Sequence, residues 1–209
     1  MPINYDYYRD LENAYRDKNS LMFKKLKIVT EFLPKGKKFL DIGCGTGELL
    51  NRINNRYCKL VGIDIDKNSV KFATQKIKYR KNISIIQSSL KDFKGKNFDV
   101  CVALDFLEHL DNPRLALNKI YKLLKEGGKV IFTFPNFYDK FFIFLNTKII
   151  KKQYEHKVSY SFFGWNNIIK SAGFKVKYVR SIDFPILHFD ILARKFYFFG
   201  MCLLFICEK

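Results

Sequence analysis

Residues 38–50 read KFLDIGCGTGELL. An apolar run meets an acid, three glycines follow at alternate positions, and a helix-forming stretch comes after them. The apolar run has the length and content of a short buried strand. In an open parallel sheet, ligands lie beyond the carboxyl ends of the strands, so the loop leaving the first strand must approach the ligand closely. Glycine allows that approach because it lacks a Cβ and tolerates positive φ. Gly43, Gly45 and Gly47 therefore predict a loop that cradles a ligand. The helix behind it would turn its free N–H groups toward the same place.

Outward from this loop the chain alternates. Residues 18–33 put Leu21, Met22, Leu26, Val29, Phe32 and Leu33 near one helical face, with Pro34 after the stop. Strands are predicted at 37–43, 58–66, 82–88, 98–104 and 129–135, and helices at 48–54, 67–79 and 112–128. The last of these helices has Pro113 near its start and Gly127–Gly128 at its end. After Pro135 a Phe-rich segment, 136–163, leads to a helix ending at Gly173 and to strands at 175–182 and 195–209. Strands alternating with helices make an α/β fold with a mainly parallel sheet.

The bulk numbers narrow the classes. A chain of 209 residues with 48% apolar and 28% charged residues suits one soluble domain. No stretch of about 18 residues is continuously apolar, so no membrane-spanning helix is expected. The opening MPINYDYYRDLENAY lacks the apolar core of a secretory signal. Cys44, Cys58, Cys101, Cys202 and Cys207 are odd in number, scattered and without a CxxC pair. That predicts no metal site and no disulfide framework, and it suits a cytoplasmic setting. The balance of 38 Lys+Arg against 20 Asp+Glu leaves +18. Such a field favours nucleic acid, anionic lipid or phosphorylated metabolites, unless it reflects only a compositional bias toward Lys, Ile, Phe, Tyr and Asn.

The glycine loop discriminates between nucleotides. A dinucleotide fingerprint needs glycine three places after Gly45, where Glu48 stands, and the Gly-Lys-Ser/Thr of a phosphate loop is absent. Asp41 would repel a pyrophosphate and attract a cation or an amino group. Asp64 ends the strand in GIDID, where a carboxylate takes the two hydroxyls of a ribose. The ligand so described is a nucleoside with a cationic or amino-bearing tail, and S-adenosylmethionine fits.

The motifs FLDIGCGTGELL, VGIDID, FDVCVALDFLEHL and LLKEGGKVIFTFPN are similar, in order and spacing, to those of class I S-adenosylmethionine-dependent methyltransferases. The resemblance covers residues 37–136 well and the flanks loosely. It is nearest to the small-molecule branch that includes ubiquinone/menaquinone-type enzymes and the MetW-like group, which FPNF also resembles. It implies a doubly wound, Rossmann-like, seven-stranded, mostly parallel sheet with helices on both faces and the last strand antiparallel. It also implies a single methyltransferase domain over 1–209, with a helical cap (1–36), a cofactor core (37–136) and an acceptor-side segment (137–209).

Carried onto this chain, the resemblance puts Gly43, Cys44, Gly45 and Gly47 around the methionine part of S-adenosylmethionine, with Asp41 by its amino group. Asp64 takes the ribose and Ile65 packs on the adenine. Ser89 stands where an acid often meets the adenine amino group. Asp105 lines the junction of cofactor and acceptor, or caps the turn that follows it. His156, His109 and Asp105 are the candidate catalytic groups, with a structural role open for His109 and a loop or core role for His188. Tyr5, Tyr7 and Tyr8 form an aromatic lid over the cofactor or a hydrophobic anchor for the N-terminus.

Acceptor choice belongs to the least standard stretch, residues 136–165. There Phe141, Phe142, Phe144 and Ile149 are edged by Lys140, Lys148, Lys151 and Lys152. This pattern suits an element on an anionic membrane, a pocket for a small or lipid-like acceptor, or plain cover for the sheet edge. An enzyme acting on RNA and a non-catalytic cofactor-binding partner are the competing readings. The former lacks an [DNS]PP[YF] tetrad, a Pro-Cys nucleophile and a recognised RNA-binding appendage.

Overall fold

The computed structural model describes residues 5–136, 157–182 and 202–209. Seven strands form one sheet in the order β3-β2-β1-β4-β5-β7-β6. They are β1 (Lys38–Ile42), β2 (Lys59–Asp64), β3 (Ile83–Gln87), β4 (Phe98–Leu104), β5 (Leu124–Pro135), β6 (Lys175–Ile182) and β7 (Cys202–Glu208). β1 to β5 pair in parallel. β7 slots antiparallel between β5 and β6, so it alone reverses direction, as the resemblance implies. The strand order turns back between β1 and β4, and the crevice at that switch point opens where the glycine loop leaves β1.

The helices are α1 (Tyr5–Arg16), α2 (Leu21–Phe32), α3 (Glu48–Arg52), α4 (Lys67–Lys76), α5 (Pro113–Leu123) and α6 (Phe162–Ser171). The period-2 alternation of the strands splits the core in two. Phe39, Val100, Val102 and Ile131 face Leu26, Val29, Leu50 and Ile53 of the α2–α3 layer. Leu40, Cys101, Ala103, Val130 and Phe132 face Leu117, Ile120, Trp165 and Ile169 of the α5–α6 layer. In that second layer the Trp165 ring lies flat on Phe134, with centroids 3.8 Å apart.

Two boundaries differ from the sequence reading. The helix expected over 112–128 ends at Leu123, because Leu124 is already extended, buried and paired with Phe98. Gly127, at φ +68°, then turns the chain rather than ending a helix. α6 begins at Phe162, earlier than expected, because the Ser161 hydroxyl caps it by accepting from the Gly164 N–H.

The N-terminal helices are pinned to the rest at several points. Tyr8 is buried, stacks on Phe72 with centroids 5.1 Å apart, and donates its hydroxyl to Asp66 at 3.0 Å. Lys76 bridges Glu12 of α1 and Glu48 of α3 at 2.8 and 3.2 Å. Tyr8 therefore anchors α1 to α4, the second of its two expected roles; Tyr7 meets it edge-on.

Candidate functional site

Two cavities open at the carboxyl ends of β1, β2 and β4 and share Gly43 and Asp105 as a common wall. The larger, about 780 Å³, is lined mainly by apolar side chains, among them Ile63, Ile65, Leu90, Phe106, Leu110 and Leu115. The smaller, about 90 Å³, is lined by Tyr15, Met22, Lys25, Asp41, Cys44, Glu48 and Leu104 among others. It is a small polar chamber roofed by α1 and α2.

The loop between the cavities takes the shape its glycines allow. Gly45 has φ +50°, and a Cβ built there would meet nothing within 4 Å, so this stretch of backbone faces open space. Gly43 has φ +73°, and a Cβ there would lie 2.7 Å from the Phe106 ring, so the aromatic packs directly on bare backbone. A cradle of this kind admits close approach by a ligand on one side while a wall is held fixed on the other.

Asp64 is tied down at the end of β2. Its Oδ2 accepts from the Gly45 N–H at 2.8 Å and its Oδ1 from the Asp66 N–H at 2.9 Å. Each carboxylate oxygen keeps a lone pair for a further donor, so the two bonds aim the group without filling it. Ile65, next along, is 72% exposed at the lip of the larger cavity. An isoleucine left in water beside a carboxylate suits a site whose occupant supplies the missing apolar surface.

Asp41 is 4% exposed and walls the small chamber. Burial, and after it the Asp64 carboxylate, pushes it up to about 7. Cys44 points back into the fold: its sulfur would lie 2.8 Å from a Cβ on Gly62, and burial raises its thiol. It reaches the chamber only as part of the wall.

Asp105 follows β4 at φ +47°, an uncommon conformation for a non-glycine residue and one that Asp tolerates better than most. Its N–H donates to the Thr133 carbonyl and hydroxyl oxygens, both at 3.1 Å, and the Thr133 hydroxyl donates to Oδ1 at 2.9 Å. Its other oxygen pairs with the Lys25 ammonium from α2. Asp105 does not cap the following 3-10 turn, Leu107–His109, which has no side-chain cap. Burial alone would lower the Lys25 ammonium, but the Asp105 carboxylate outweighs it and holds Lys25 above its usual value. Beneath this pair, Glu108 is fully buried, and neither carboxylate oxygen has a hydrogen-bond partner among the described residues. Burial, then Asp105, pushes it up to about 8.

Ser89 lines the larger cavity, but its hydroxyl is committed. It donates to Asp92 at 2.6 Å and accepts from the Asp92 N–H at 3.1 Å. His109 lines the same cavity beside Leu110. His156, His188 and the Phe-rich stretch 137–156 lie outside the described residues.

Three groups at the site escaped the sequence reading. Lys25 stands three residues after Met22 and four before Val29, on the apolar face of its helix, where a lysine is the anomaly. Thr133 is the one polar residue in VIFTFP. Glu108 sits in LEHL between Leu107 and His109, the histidine being the candidate the motif offers first.

Known proteins share the sequence pattern and the fold around this site. Residues 40–132 match the family model of a methyltransferase domain. An uncharacterized protein of Methanocaldococcus jannaschii is 34% identical over 137 residues, 64% of this chain and 52% of that one. A ubiquinone biosynthesis O-methyltransferase of Idiomarina loihiensis is 34% identical over 108 residues, 48% of this chain and 43% of its own length. The chain thus spans about half the length of the curated relatives it matches. Among solved structures, a SAM-dependent methyltransferase of Thermotoga maritima superposes with a TM-score of 0.72 at 18% identity, covering 99% of this chain and 96% of that one.

Proposed function

We propose that this chain, which carries a class I methyltransferase domain, moves the methyl group of S-adenosylmethionine to a small, apolar acceptor. The observation that carries the reading is the pair of cavities joined at Gly43 and Asp105. An apolar slot beside an aimed carboxylate suits a nucleoside. A small chamber holding both Lys25 and Asp41 suits an amino acid, whose carboxylate and ammonium need one group of each sign. S-adenosylmethionine is those two parts joined, and the open backbone at Gly45 leaves room for the join.

In this reading Asp64 takes the ribose hydroxyls, and Ile65 and Leu90 enclose the adenine. Lys25 meets the carboxylate of the methionine part, with Asp41 by its ammonium. When bound, the cofactor supplies a methyl on a positively charged sulfur, open to in-line displacement. The chain's own task is to orient and to exclude water, and orientation can remove roughly 7–11 kcal/mol of barrier. The Phe106 ring packed on Gly43 and the Thr133–Asp105–Lys25 chain hold the wall between the cavities rigid, which such alignment requires. Asp105, half-exposed in that wall, is the carboxylate best placed to receive a proton from an acceptor hydroxyl.

The apolar acceptor is supported by what surrounds the mouth. Leu115 is 65% exposed on the larger cavity's rim, and Phe163, on the first turn of α6, is 61% exposed. Both lie at the end of the sheet where the site opens. Bulky side chains left in water near an entrance suit a lipid-like acceptor or the surface of an anionic membrane. The test is to incubate the protein with methyl-labelled S-adenosylmethionine and an extract of its own cells, then count label in lipid, nucleic acid and polar fractions. Label in the solvent-extracted lipid supports the reading. Label confined to the polar fraction refutes the apolar acceptor, and binding without any transfer refutes catalysis.

A further inference from the structure

The +18 charge far exceeds what the site holds, where Lys25, Lys91 and Lys119 stand beside Asp41, Glu48, Asp64, Asp105 and Asp111. Topology shows where part of it lies. β1 to β5 run parallel, so the loops that enter them gather at the edge opposite the glycine loop. Lys38 sits beside Lys59 in the register. The Lys59 N–H donates to the Lys37 carbonyl at 3.0 Å, and the Leu60 N–H to the Asn82 carbonyl at 2.8 Å. Lys37 and Lys81 therefore stand at the entrances to β1 and β3, one residue outside the row of Lys38 and Lys59. Lys38 Nζ donates to the Lys96 carbonyl at 2.6 Å, which brings the entrance to β4 into the same cluster.

At the β3 end of this cluster stands Tyr79, 87% exposed between Lys78 and Arg80, with the Lys78 ammonium 5.5 Å from its ring centre. The carboxylates nearby are taken. Asp99 pairs with Lys125 and accepts from the N–H groups of Lys37 and Lys38 at 3.0 and 2.7 Å, and Glu126 pairs with Lys209 at 3.1 Å. Among the described residues no carboxylate pairs with Lys37, Lys59, Lys78, Arg80, Lys81 or Lys96.

We propose that this edge is a docking surface for single-stranded nucleic acid, remote from the methyl-transfer site. A cluster of unpaired cations along one edge suits a phosphate backbone, and an exposed aromatic flanked by cations offers a base a face to stack on. A bilayer would instead need several apolar groups to insert, and Ile65, Leu115 and Phe163 all lie at the opposite edge. Strands of 5 to 7 residues, at ~3.3 Å per residue, put the two edges roughly 20 Å apart. Nucleic acid held here is a tether, not the methyl acceptor.

The test measures fluorescence anisotropy of a labelled oligouridine of about 15 nucleotides, a length within the reach of one binding surface, across about 50–200 mM salt. The unaltered protein should bind, more weakly as salt rises. A Lys37→Gln/Lys59→Gln/Lys81→Gln variant should flatten the slope of log K against log salt by about 2, at ~0.7 per lost phosphate contact. Tyr79→Ala should cost about fivefold or more in affinity. Both variants should keep the affinity for S-adenosylmethionine, which shows the fold intact and separates this proposal from the catalytic one. No binding at low salt, a slope unchanged in the triple variant, or indifference to Tyr79→Ala overturns the proposal. So does retention on phosphatidylglycerol vesicles, but not on RNA, that the triple variant abolishes.

Discussion

Lys25→Met tests the division of the site into two chambers. The substitution keeps the length and apolar stem of the side chain and removes only the ammonium. Lys25 is 11% exposed on its side chain and its partner Asp105 38%. Asp105 can rehydrate when the lysine is gone, so the cost to stability should stay near the 0–1 kcal/mol typical of exposed pairs. The cost to ligand binding is of another size. If Lys25 donates to the methionine carboxylate, the variant loses one hydrogen bond between charged groups, about 1.5–3 kcal/mol. That converts to roughly 10- to 150-fold in dissociation constant. Adenosine, which lacks the amino-acid part, should bind both proteins alike, because nothing in the larger cavity has changed. Titration calorimetry with S-adenosylmethionine and adenosine reads both numbers. Equal losses for the two ligands, or no loss for either, would refute the assignment of the small chamber to the methionine part.

Asp64→Ala should weaken both ligands together by about 1.5–3 kcal/mol, since the ribose is common to them; calorimetry showing adenosine unaffected removes Asp64 from that role. Asp41, held up to about 7, must be ionised to favour an ammonium. Affinity for S-adenosylmethionine should therefore rise as pH increases through about 7 and level off above it, and a flat profile from pH 5.5 to 8.5, the decade or so on either side, would count against Asp41. Glu108 is raised to about 8 from an ordinary 4.5. Between those values the unfolded chain releases a proton that the folded one keeps, so this group's contribution to stability declines as pH rises through that window. Glu108→Gln should remove that share of the decline in urea melts, and an unchanged pH profile would contradict it. Gly62→Ala would place a methyl 2.6 Å from Leu50 Cδ1 and 2.8 Å from Cys44 Sγ; a loss of about 1–3 kcal/mol in chemical denaturation is expected for such overpacking.

The parts of the fold that read well from sequence are those where local preference and burial agree. FDVCVAL is apolar because β4 is covered on both faces, and KFLDI carries an acid at its next-to-last position and KLVGID at its last because both strands finish at the crevice. The end of α5 failed because KEGG has the look of a helix terminus, while Leu124 was already claimed by a partner 26 positions earlier in β4. Pairing of that range is not encoded in any window of sequence. The site divides in the same way. Asp64 was visible from its place at a strand end, which is a local fact. Lys25 and Asp105 come from positions 80 residues apart, and their meeting depends on how α2 crosses the sheet. Ser89 does line the cavity, but that its hydroxyl is held by Asp92, three residues on, depends on a turn whose direction only the folded chain reveals.

The separation of charge also resolves a conflict within the function. A ligand with a cationic sulfur should be repelled by a protein of net charge +18. Yet the cavity walls at the carboxyl ends of the parallel strands carry Asp41, Glu48, Asp64, Asp105 and Asp111 against Lys25, Lys91 and Lys119, with Lys25 paired to Asp105. The opposite edge carries Lys37, Lys59, Lys78, Arg80, Lys81 and Lys96, which pair with no carboxylate among the described residues. With a Debye length of ≈ 8 Å at physiological ionic strength, cations roughly 20 Å away are largely screened from the crevice, whereas the carboxylates in its walls are not. The local potential that the cofactor meets is set by the acids. The excess positive charge then acts where it is displayed, at the far edge, so one face can hold a polyanion while the other receives a cation. Raising the salt concentration should therefore weaken RNA binding steeply and S-adenosylmethionine binding only slightly. The two affinities falling in parallel would mean that both ligands feel one undivided field, which this arrangement of strands and loops forbids.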